Sequence, residues 1–180
     1  MDEAEETLGR GSVGVVGAGG LNDASGEVGY PVTLREGVWT TEEVFQTGSL
    51  WSVSALDEIS GFDESLGIDG VDAAACLGLR QAGLTVALAP DARLAHHYGA
   101  GTQIVLFGRT IVSTGHSPLR RESMVRNRLR LFPAEFRQSP RHAFRTLRRV
   151  GVNMALGVSV EGNKWENAKG SIRGLLPRGR

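Results

Sequence analysis

Three groups of side chains in this sequence have types and spacings that could do chemistry, and the first is a pair of carboxylates. Asp69 and Asp72 stand three residues apart where a helical pattern begins, so both would lie near one face of that helix. The positive end of a helix keeps such carboxylates ionised, and an ionised carboxylate can act as a general base toward a hydroxyl. Helix capping, for which Asp is common, is the alternative interpretation.

The second group is the adjacent histidines His96 and His97, which follow a strand-like run. A histidine at a strand end can bind a metal or act as a general base, although neighbouring strand residues point in opposite directions. No second His or Cys stands at metal-ligand spacing, so we do not expect a structural zinc site. His116 and His142 are isolated in the sequence and are expected to be structural.

The third group is a set of arginines in one predicted helix, namely Arg120, Arg121, Arg126, Arg128 and Arg130. Arginine forks bind phosphate oxygens at two points, so the set could hold a phosphate. A solvated basic helix face is the alternative. The glycine-rich residues 17–20 lack both the lysine of a phosphate-binding loop and the spacing of a dinucleotide fingerprint, and we interpret them as a flexible turn.

Composition bounds the class of protein that could carry these groups. The chain has 180 residues, 41% hydrophobic and 22% charged, which is ordinary for one globular domain. Cys76 stands alone, which excludes an intrachain disulfide framework and fits a reducing compartment. No apolar stretch approaches the ~20 residues that span a bilayer, and the acidic start lacks the basic residues of a secretory signal. We therefore expect a cytoplasmic chain, soluble or peripheral at the inner face of the membrane.

The net charge of zero hides a division of charge along the chain. Residues 117–180 hold 15 Lys and Arg against 4 Asp and Glu, a net of +11, so residues 1–116 carry a net of −11. Together with the order of predicted elements given below, this division predicts an α/β region over 1–116 and a basic helical region over 117–180. The basic region suggests contact with an anionic membrane surface, and solvated helix faces are the alternative. Nucleic acid is not an expected partner, because the basic helices lack interleaved aromatic residues.

Hydrophobic periodicity places strands and helices before residue 117. Residues 13–16 read as a strand, 17–41 as a loop with one short hairpin at most, and 70–82 as a helix that stops at Gly83. A short helix capped by Ser52 or Ser54 runs through Ile59. Further strands are predicted at 85–89, where Pro90 ends the run, and at 92–95, 103–107 and 110–113.

The basic region carries two clear helix starts. Ser117-Pro118 and Ser139-Pro140 each pair an N-cap residue with proline at the first helical position. These starts predict helices over 119–132 and 141–156. A third helix over 161–176 is weakened by Gly170 and Gly174.

The order and spacing of several short motifs resemble a known family. The motifs are Gly48-Ser49-Leu50, Gly61-Phe62-Asp63-Glu64, Ile68-Asp69-Gly70-Val71-Asp72, Pro90-Asp91-Ala92, His96-His97-Tyr98-Gly99, Ser117-Pro118-Leu119-Arg120 and Arg126-Asn127. From about residue 13 to the last residue, the chain resembles the C-terminal half of family 2 glycosyltransferases, in particular the bacterial rhamnosyltransferase-like subgroup.

The resemblance implies a glycosyltransferase A-type fold, here partial because the nucleotide-binding half is missing. It also implies transfer of a sugar from a nucleotide-sugar donor to the hydroxyl of a glycan or lipid-linked acceptor, as in the synthesis of cell-wall polysaccharide. Such enzymes usually invert the sugar and use a divalent metal, Mg or Mn.

Matched position by position, the resemblance implies roles for the residues of these motifs. Asp69 and Asp72 would contact the acceptor and supply the catalytic base. His96 would assist the metal and the diphosphate. The expected substrate-binding residues are Gly48 and Ser49 on the floor of the acceptor site and Arg120, Arg126 and Asn127 on the following helix.

The sequence departs from this family where the donor should bind. It contains no Asp-x-Asp triplet, and Ala74 and Gly78 stand where the subgroup usually has an acidic residue and an arginine. We therefore expect a truncated or split glycosyltransferase that is inactive alone and is completed by a missing N-terminal half or by a second copy. The alternative is a non-catalytic scaffold, derived from such an enzyme, that binds a membrane surface or a partner.

Overall fold

The computed structural model describes residues 6–9, 12–23, 26–95, 102–106, 109–113, 115–159 and 163–176. The chain divides into two compact units. The first unit holds Met1–Ser65 and Val71–His97, and the second holds Leu66–Gly70 and Tyr98–Arg180. Strands and helices occur together, so the predicted mixed α/β class is confirmed.

A six-stranded sheet forms the frame of the first unit. Its strands are β1 (Val13–Asp23), β2 (Gly26–Gly29), β3 (Thr33–Arg35), β4 (Val38–Thr40), β5 (Ser49–Trp51) and β6 (Thr85–Ala95). The strand order is β2-β1-β6-β4-β3, and β5 also pairs with β1. The central strands β1 and β6 run parallel, while the other pairs are antiparallel.

The two central strands carry apolar residues on both faces, as a sheet buried on both sides requires. Val15, Val86 and Leu88 belong to one buried cluster, together with Cys76 and Leu79 of the neighbouring helix. Val13, Val16, Ala87 and Ala89 form a second buried cluster. The short run at 13–16 supplies both clusters, because a register shift between Val13 and Val15 interrupts the regular alternation of the strand. The predicted strand there is confirmed.

The prediction of a loop over residues 17–41 is wrong. β1 continues to Asp23 and pairs with β2, and a second hairpin joins β3 to β4. The glycine-rich residues 17–20 therefore lie within a strand and are not a flexible turn. Glycine at position 17 allows close packing, because a Cβ there would lie 2.7 Å from Val44 Cγ1.

The prediction that a strand ends at Pro90 is also wrong, since β6 runs through Pro90 to Ala95. The ladder between β1 and β6 shifts register between Ala18 and Gly20. At that shift a Cβ on Gly19 would lie 2.6 Å from the Pro90 carbonyl oxygen. A bulge opposite a glycine accommodates the proline that the regular ladder would exclude.

Two helices of the first unit follow the predicted starts and stops. Helix α1 (Val53–Glu58) begins at Ser52, whose Oγ accepts a hydrogen bond from the Ala55 amide. Helix α2 (Val71–Gln81) packs Leu79 and Cys76 into the core, and Gly83 follows it with φ +82°. Both predicted helices are therefore confirmed.

The second unit contains a hairpin and three helices. Strands β7 (Thr102–Leu106) and β8 (Arg109–Ser113) pair antiparallel. They are followed by α3 (Pro118–Gln138), α4 (Pro140–Ser159) and α5 (Lys164–Leu175). Within the described part of the chain, no helix combines the length and the apolar character needed to cross a membrane.

Helix α3 is longer than the sequence predicts, because it passes through Pro133 and ends at Gln138. Pro133 has no amide hydrogen, so the Leu129 carbonyl loses its helical partner, which is a local cost to the helix. The extra turn carries Glu135, which is only 1% exposed, and Phe136, whose ring packs on Phe144. Tertiary packing thus outweighs the local cost of the proline.

The glycines of α5 are packing residues rather than weak points. A Cβ at Gly174 would lie 2.6 Å from the Glu122 carbonyl oxygen, and one at Gly170 would overlap the Pro118 carbonyl. Gly170 and Gly174 lie one turn apart, with the buried residues Asn167 and Ser171 on the same face. This face of small residues lets α5 approach the backbone of α3 closely.

Candidate functional site

The segment Leu66–Gly70 adopts an unusual backbone around the candidate base Asp69. Gly67, Asp69 and Gly70 all have positive φ, at 65°, 65° and 88°. Asp tolerates this left-handed region better than most residues, yet three such positions in four residues need external support. The neighbouring helix α3 supplies that support.

Asn127 of α3 holds the segment by its side-chain amide. Its Nδ2 donates to the carbonyl oxygens of Leu66 at 2.9 Å, Ile68 at 3.0 Å and Asp69 at 2.6 Å. An amide nitrogen has two hydrogens, so three acceptors must share them. Asn127 is 5% exposed, and these contacts give a hydrogen-bond donor to carbonyls that would otherwise have none in the protein interior.

Helix α3 carries two residues that contact the segment, Arg120 and Asn127, and both lie on one face of the helix. Ser117 starts the helix by accepting a hydrogen bond from the Arg120 amide at 3.3 Å. Arg120 and Asn127 are seven residues apart, which places them two turns apart on the same face. A Cβ at Gly70 would lie 3.3 Å from Asn127 Cβ. Glycine therefore allows both the positive φ at this position and the close approach of α3 to the segment.

Arg120 and Asp69 form a two-point ion pair. The distances are 2.9 Å from Nε to Oδ2 and 3.0 Å from Nη2 to Oδ1. The hydrogen bonds to the Asp69 carboxylate raise the pKa of Arg120 above its usual value. The Asp69 side chain is 21% exposed and the Arg120 side chain 47%. A carboxylate has about four lone-pair sites, so this one can still accept a proton or a hydrogen bond from a hydroxyl.

Two other arginines of α3, Arg121 and Arg126, contact groups other than the Asp69 carboxylate. Arg126 binds the Glu122 carboxylate and, at 3.4 Å, the carbonyl of Arg173 in α5. Arg121 is 3% exposed and donates to the carbonyls of His116 and Asn153 at 3.2 and 2.8 Å. These two arginines stabilise the helices of the second unit, and they do not form a shared phosphate site with Arg120.

Asp72 lies in the first turn of α2 in the first unit. Its Oδ1 accepts a hydrogen bond from the Ala73 amide at 2.9 Å. This contact fits the capping interpretation, because it satisfies an amide that has no partner within the helix. A catalytic role for Asp72 stays a prediction.

Gly48 and Ser49 order a turn that leads into β5. Gly48 has φ +71°, and its carbonyl accepts a hydrogen bond from the Ala18 amide at 3.0 Å. The Ser49 hydroxyl donates to the Gln46 carbonyl at 2.8 Å and accepts from Trp51 Nε1 at 2.8 Å. These bonds orient the Trp51 indole, whose ring meets Phe62 edge-on at 5.1 Å. No feature of the sequence singled out Trp51, because the pair is created by tertiary packing.

His96, the predicted metal-assisting residue, lies outside the described residues, as does His97. The metal-assisting role of His96 therefore stays a prediction. Asp69, the candidate base, faces the cationic Arg120. A guanidinium that binds both oxygens takes the position that a divalent cation would need at this carboxylate. Asp69 in this arrangement therefore does not fit the expected metal.

Comparisons with other proteins add no relative to this description. No protein-family model, no curated protein and no solved structure matches the chain.

Proposed function

We propose that the chain carries the acceptor side of a sugar-transfer site in a glycosyltransferase A-type framework, with Asp69 as the general base. The observation that carries the proposal is the two-point pair between Asp69 and Arg120 on a segment held by Asn127. The mixed sheet with a parallel central pair, followed by helices, supports the framework. The family resemblance of the sequence motifs supports the substrate class.

The chemistry follows from what the pair offers to a hydroxyl. The Asp69 carboxylate would accept the proton of an acceptor hydroxyl, which makes that oxygen a better nucleophile toward the anomeric carbon. Arg120 would hold the ionised carboxylate in one orientation until the proton moves. Asn127 is a positioning residue in this scheme, because it fixes the backbone from which Asp69 projects.

We infer that the residues around Asp69 do not bind the sugar donor. The sequence lacks an Asp-x-Asp triplet, and the described residues around Asp69 do not fit a divalent metal. The chain alone should release no nucleoside diphosphate from a panel of nucleotide sugars, and release above background would overturn this assignment.

Binding of saccharides to the chain tests the acceptor assignment. We expect a hydroxyl-rich oligosaccharide from a bacterial cell-envelope panel to bind wild-type protein and to lose about tenfold in affinity in Asp69→Asn, because a bond to a charged acceptor is replaced. Asp57→Asn in α1 removes the same charge at an exposed position and serves as the control. Absence of any saccharide binding, or an equal loss in both variants, would contradict the proposal.

A non-catalytic scaffold is the second candidate, favoured by the same ion pair. Both oxygens of Asp69 contact Arg120, which is also how a purely structural pair looks. In that case Asp69→Asn and Arg120→Gln would change stability slightly and saccharide binding not at all. An exposed pair of this kind contributes at most about 1 kcal/mol.

A further inference from the structure

Helix α4 has an inward face and an outward face of different character. Ala143, Thr146 and Val150 are buried at three- and four-residue spacing, which defines the inward face. The outward face also carries apolar side chains, because Phe144, Val152 and Val158 are 58%, 46% and 40% exposed. An amphipathic helix of a soluble domain would place polar residues there.

An aromatic cluster extends this outward face across the junction between α3 and α4. The ring centroids of Phe132 and Phe136 lie 5.8 Å apart, and Phe144 lies 5.9 and 5.7 Å from them. Phe136 is 42% exposed, so two of the three rings reach the surface. The cluster forms an apolar prominence beside the turn at Ser139.

Arginines border these apolar side chains. Arg137 follows Phe136, while Arg141 and Arg148 lie on the same face of α4 as Phe144 and Val152, and all three arginines are exposed. The acidic residues of α3 and α4 are Glu122, which binds Arg126, and Glu135, which is buried. No carboxylate is therefore exposed on these two helices. We call Phe136, Phe144, Val152, Val158, Arg137, Arg141 and Arg148 the basic apolar face.

We propose that the basic apolar face binds the surface of an anionic lipid bilayer, with the phenylalanines at the acyl boundary and the arginines among the head groups. Apolar side chains flanked by cations, on a helix too polar to cross a membrane, are the composition of an interfacial helix. Each arginine near an anionic leaflet adds to the attraction, and long arginine side chains can reach the head groups while the ring beside them is buried.

The charge of the basic apolar face disfavours a second copy of the chain as its binding partner. Two such faces in contact would bring three arginines of each copy together without an exposed carboxylate on either pair of helices. An anionic lipid surface supplies the opposite charge and an apolar layer together. The proposal therefore commits to lipid, and self-association is an outcome of the test.

Co-sedimentation of the full chain with vesicles is the first test. We expect binding to phosphatidylglycerol–phosphatidylcholine vesicles, little binding to phosphatidylcholine alone, and weaker binding as salt is raised. Replacing Arg137, Arg141 and Arg148 with Gln should lower affinity by about tenfold to a hundredfold. Replacing Arg35, Arg93 and Lys164, which are exposed elsewhere, with Gln makes the same change in net charge and should cost much less.

A fluorescent label at Phe144 tests insertion directly. Phe144→Cys can be labelled selectively with an environment-sensitive dye, because the native Cys76 is fully buried. The dye emission should shift to the blue with anionic vesicles, whereas a dye on Val53→Cys, an exposed position of α1, should not shift. Circular dichroism melts confirm that each variant is folded.

Three results would overturn the proposal. They are equal binding to neutral and anionic vesicles, no binding at low salt, or an emission shift at position 144 that depends on protein concentration without lipid. The last result would assign the face to self-association.

Discussion

The side-chain amide of Asn127 donates to the backbone carbonyl of Asp69 at 2.6 Å, although the two residues are 58 positions apart in the sequence. The bond ties α3 to a segment whose backbone occupies the left-handed region at three positions. Without this bond, the backbone from which the Asp69 side chain reaches Arg120 would not be held in place. The stability of this segment and the orientation of the candidate catalytic carboxylate therefore depend on one buried carboxamide.

Replacing Asn127 with Ala should lower the free energy of unfolding by about 2–3 kcal/mol, because carbonyls of residues 66, 68 and 69 lose their donor. Asn127→Asp should be at least as harmful, since a carboxylate cannot donate. Gln138→Ala removes an exposed carboxamide from the same helix and should cost far less. Urea denaturation followed by circular dichroism measures all three, and an Asn127→Ala variant as stable as Gln138→Ala would contradict the assignment.

Arg121 and Gly157 should show strong energetic coupling. A Cβ at Gly157 would overlap the Arg121 guanidinium, so Gly157→Ala should cost about 2 kcal/mol in the wild-type background. Arg121→Ala should cost about 3 kcal/mol, because two carbonyls lose a charged donor. In the double variant the new methyl group occupies vacated space. A double-mutant cycle should therefore show that Gly157→Ala adds almost nothing to Arg121→Ala, and additive costs would count against this packing.

Two glycine-to-alanine substitutions should have opposite signs. Gly174→Ala should destabilise the protein by about 1–3 kcal/mol, because its Cβ would lie 2.6 Å from the Glu122 carbonyl oxygen and 2.7 Å from Val125 Cβ. Gly151→Ala in α4 meets nothing within 4 Å and should stabilise by up to about 1 kcal/mol through helix propensity. Thermal melting of the two variants separates the effects, and stabilisation by both would show that α5 does not pack on α3 through its glycines.

Cys76 should be unreactive in the folded protein. Burial is the main cause that raises the pKa of its thiol from 9.0 to about 12. In the folded protein the Cys76 thiol therefore keeps its proton at pH values where the thiol of the unfolded chain ionises. The thiol's contribution to stability is full below about pH 9 and is lost as the pH rises toward 12.

Ellman's reagent at pH 8 checks this prediction. Modification should be negligible in native buffer and complete in guanidinium chloride. At intermediate denaturant concentrations, its rate should be limited by the unfolding of the protein. Rapid stoichiometric reaction of the native protein would show that Cys76 is accessible.

Local sequence signals determined most of the element starts. Ser52, Ser117 and Ser139 each precede a helix start, the last two with a proline directly after them, and Gly83 follows a helix end. These signals act within a few residues, where capping hydrogen bonds and backbone restrictions do not depend on distant parts of the chain. The sequence also identified Asp69, Arg120 and Asn127 as candidates of interest.

Tertiary structure decided what local signals could not. Pro90 lies inside β6 and Pro133 inside α3, because a glycine bulge and the packing of Phe136 and Glu135 outweigh the local preference of proline. Gly170 and Gly174 weaken the predicted helix in the sequence, yet they form the contact surface of α5. A missing side chain favours a helix only where a neighbouring element packs closely against it, as α3 does here. The pairing of Arg120 with Asp69, 51 residues away, required the same information. Contacts between residues so far apart arise from packing of the whole unit, for which neither spacing nor periodicity provides a signal.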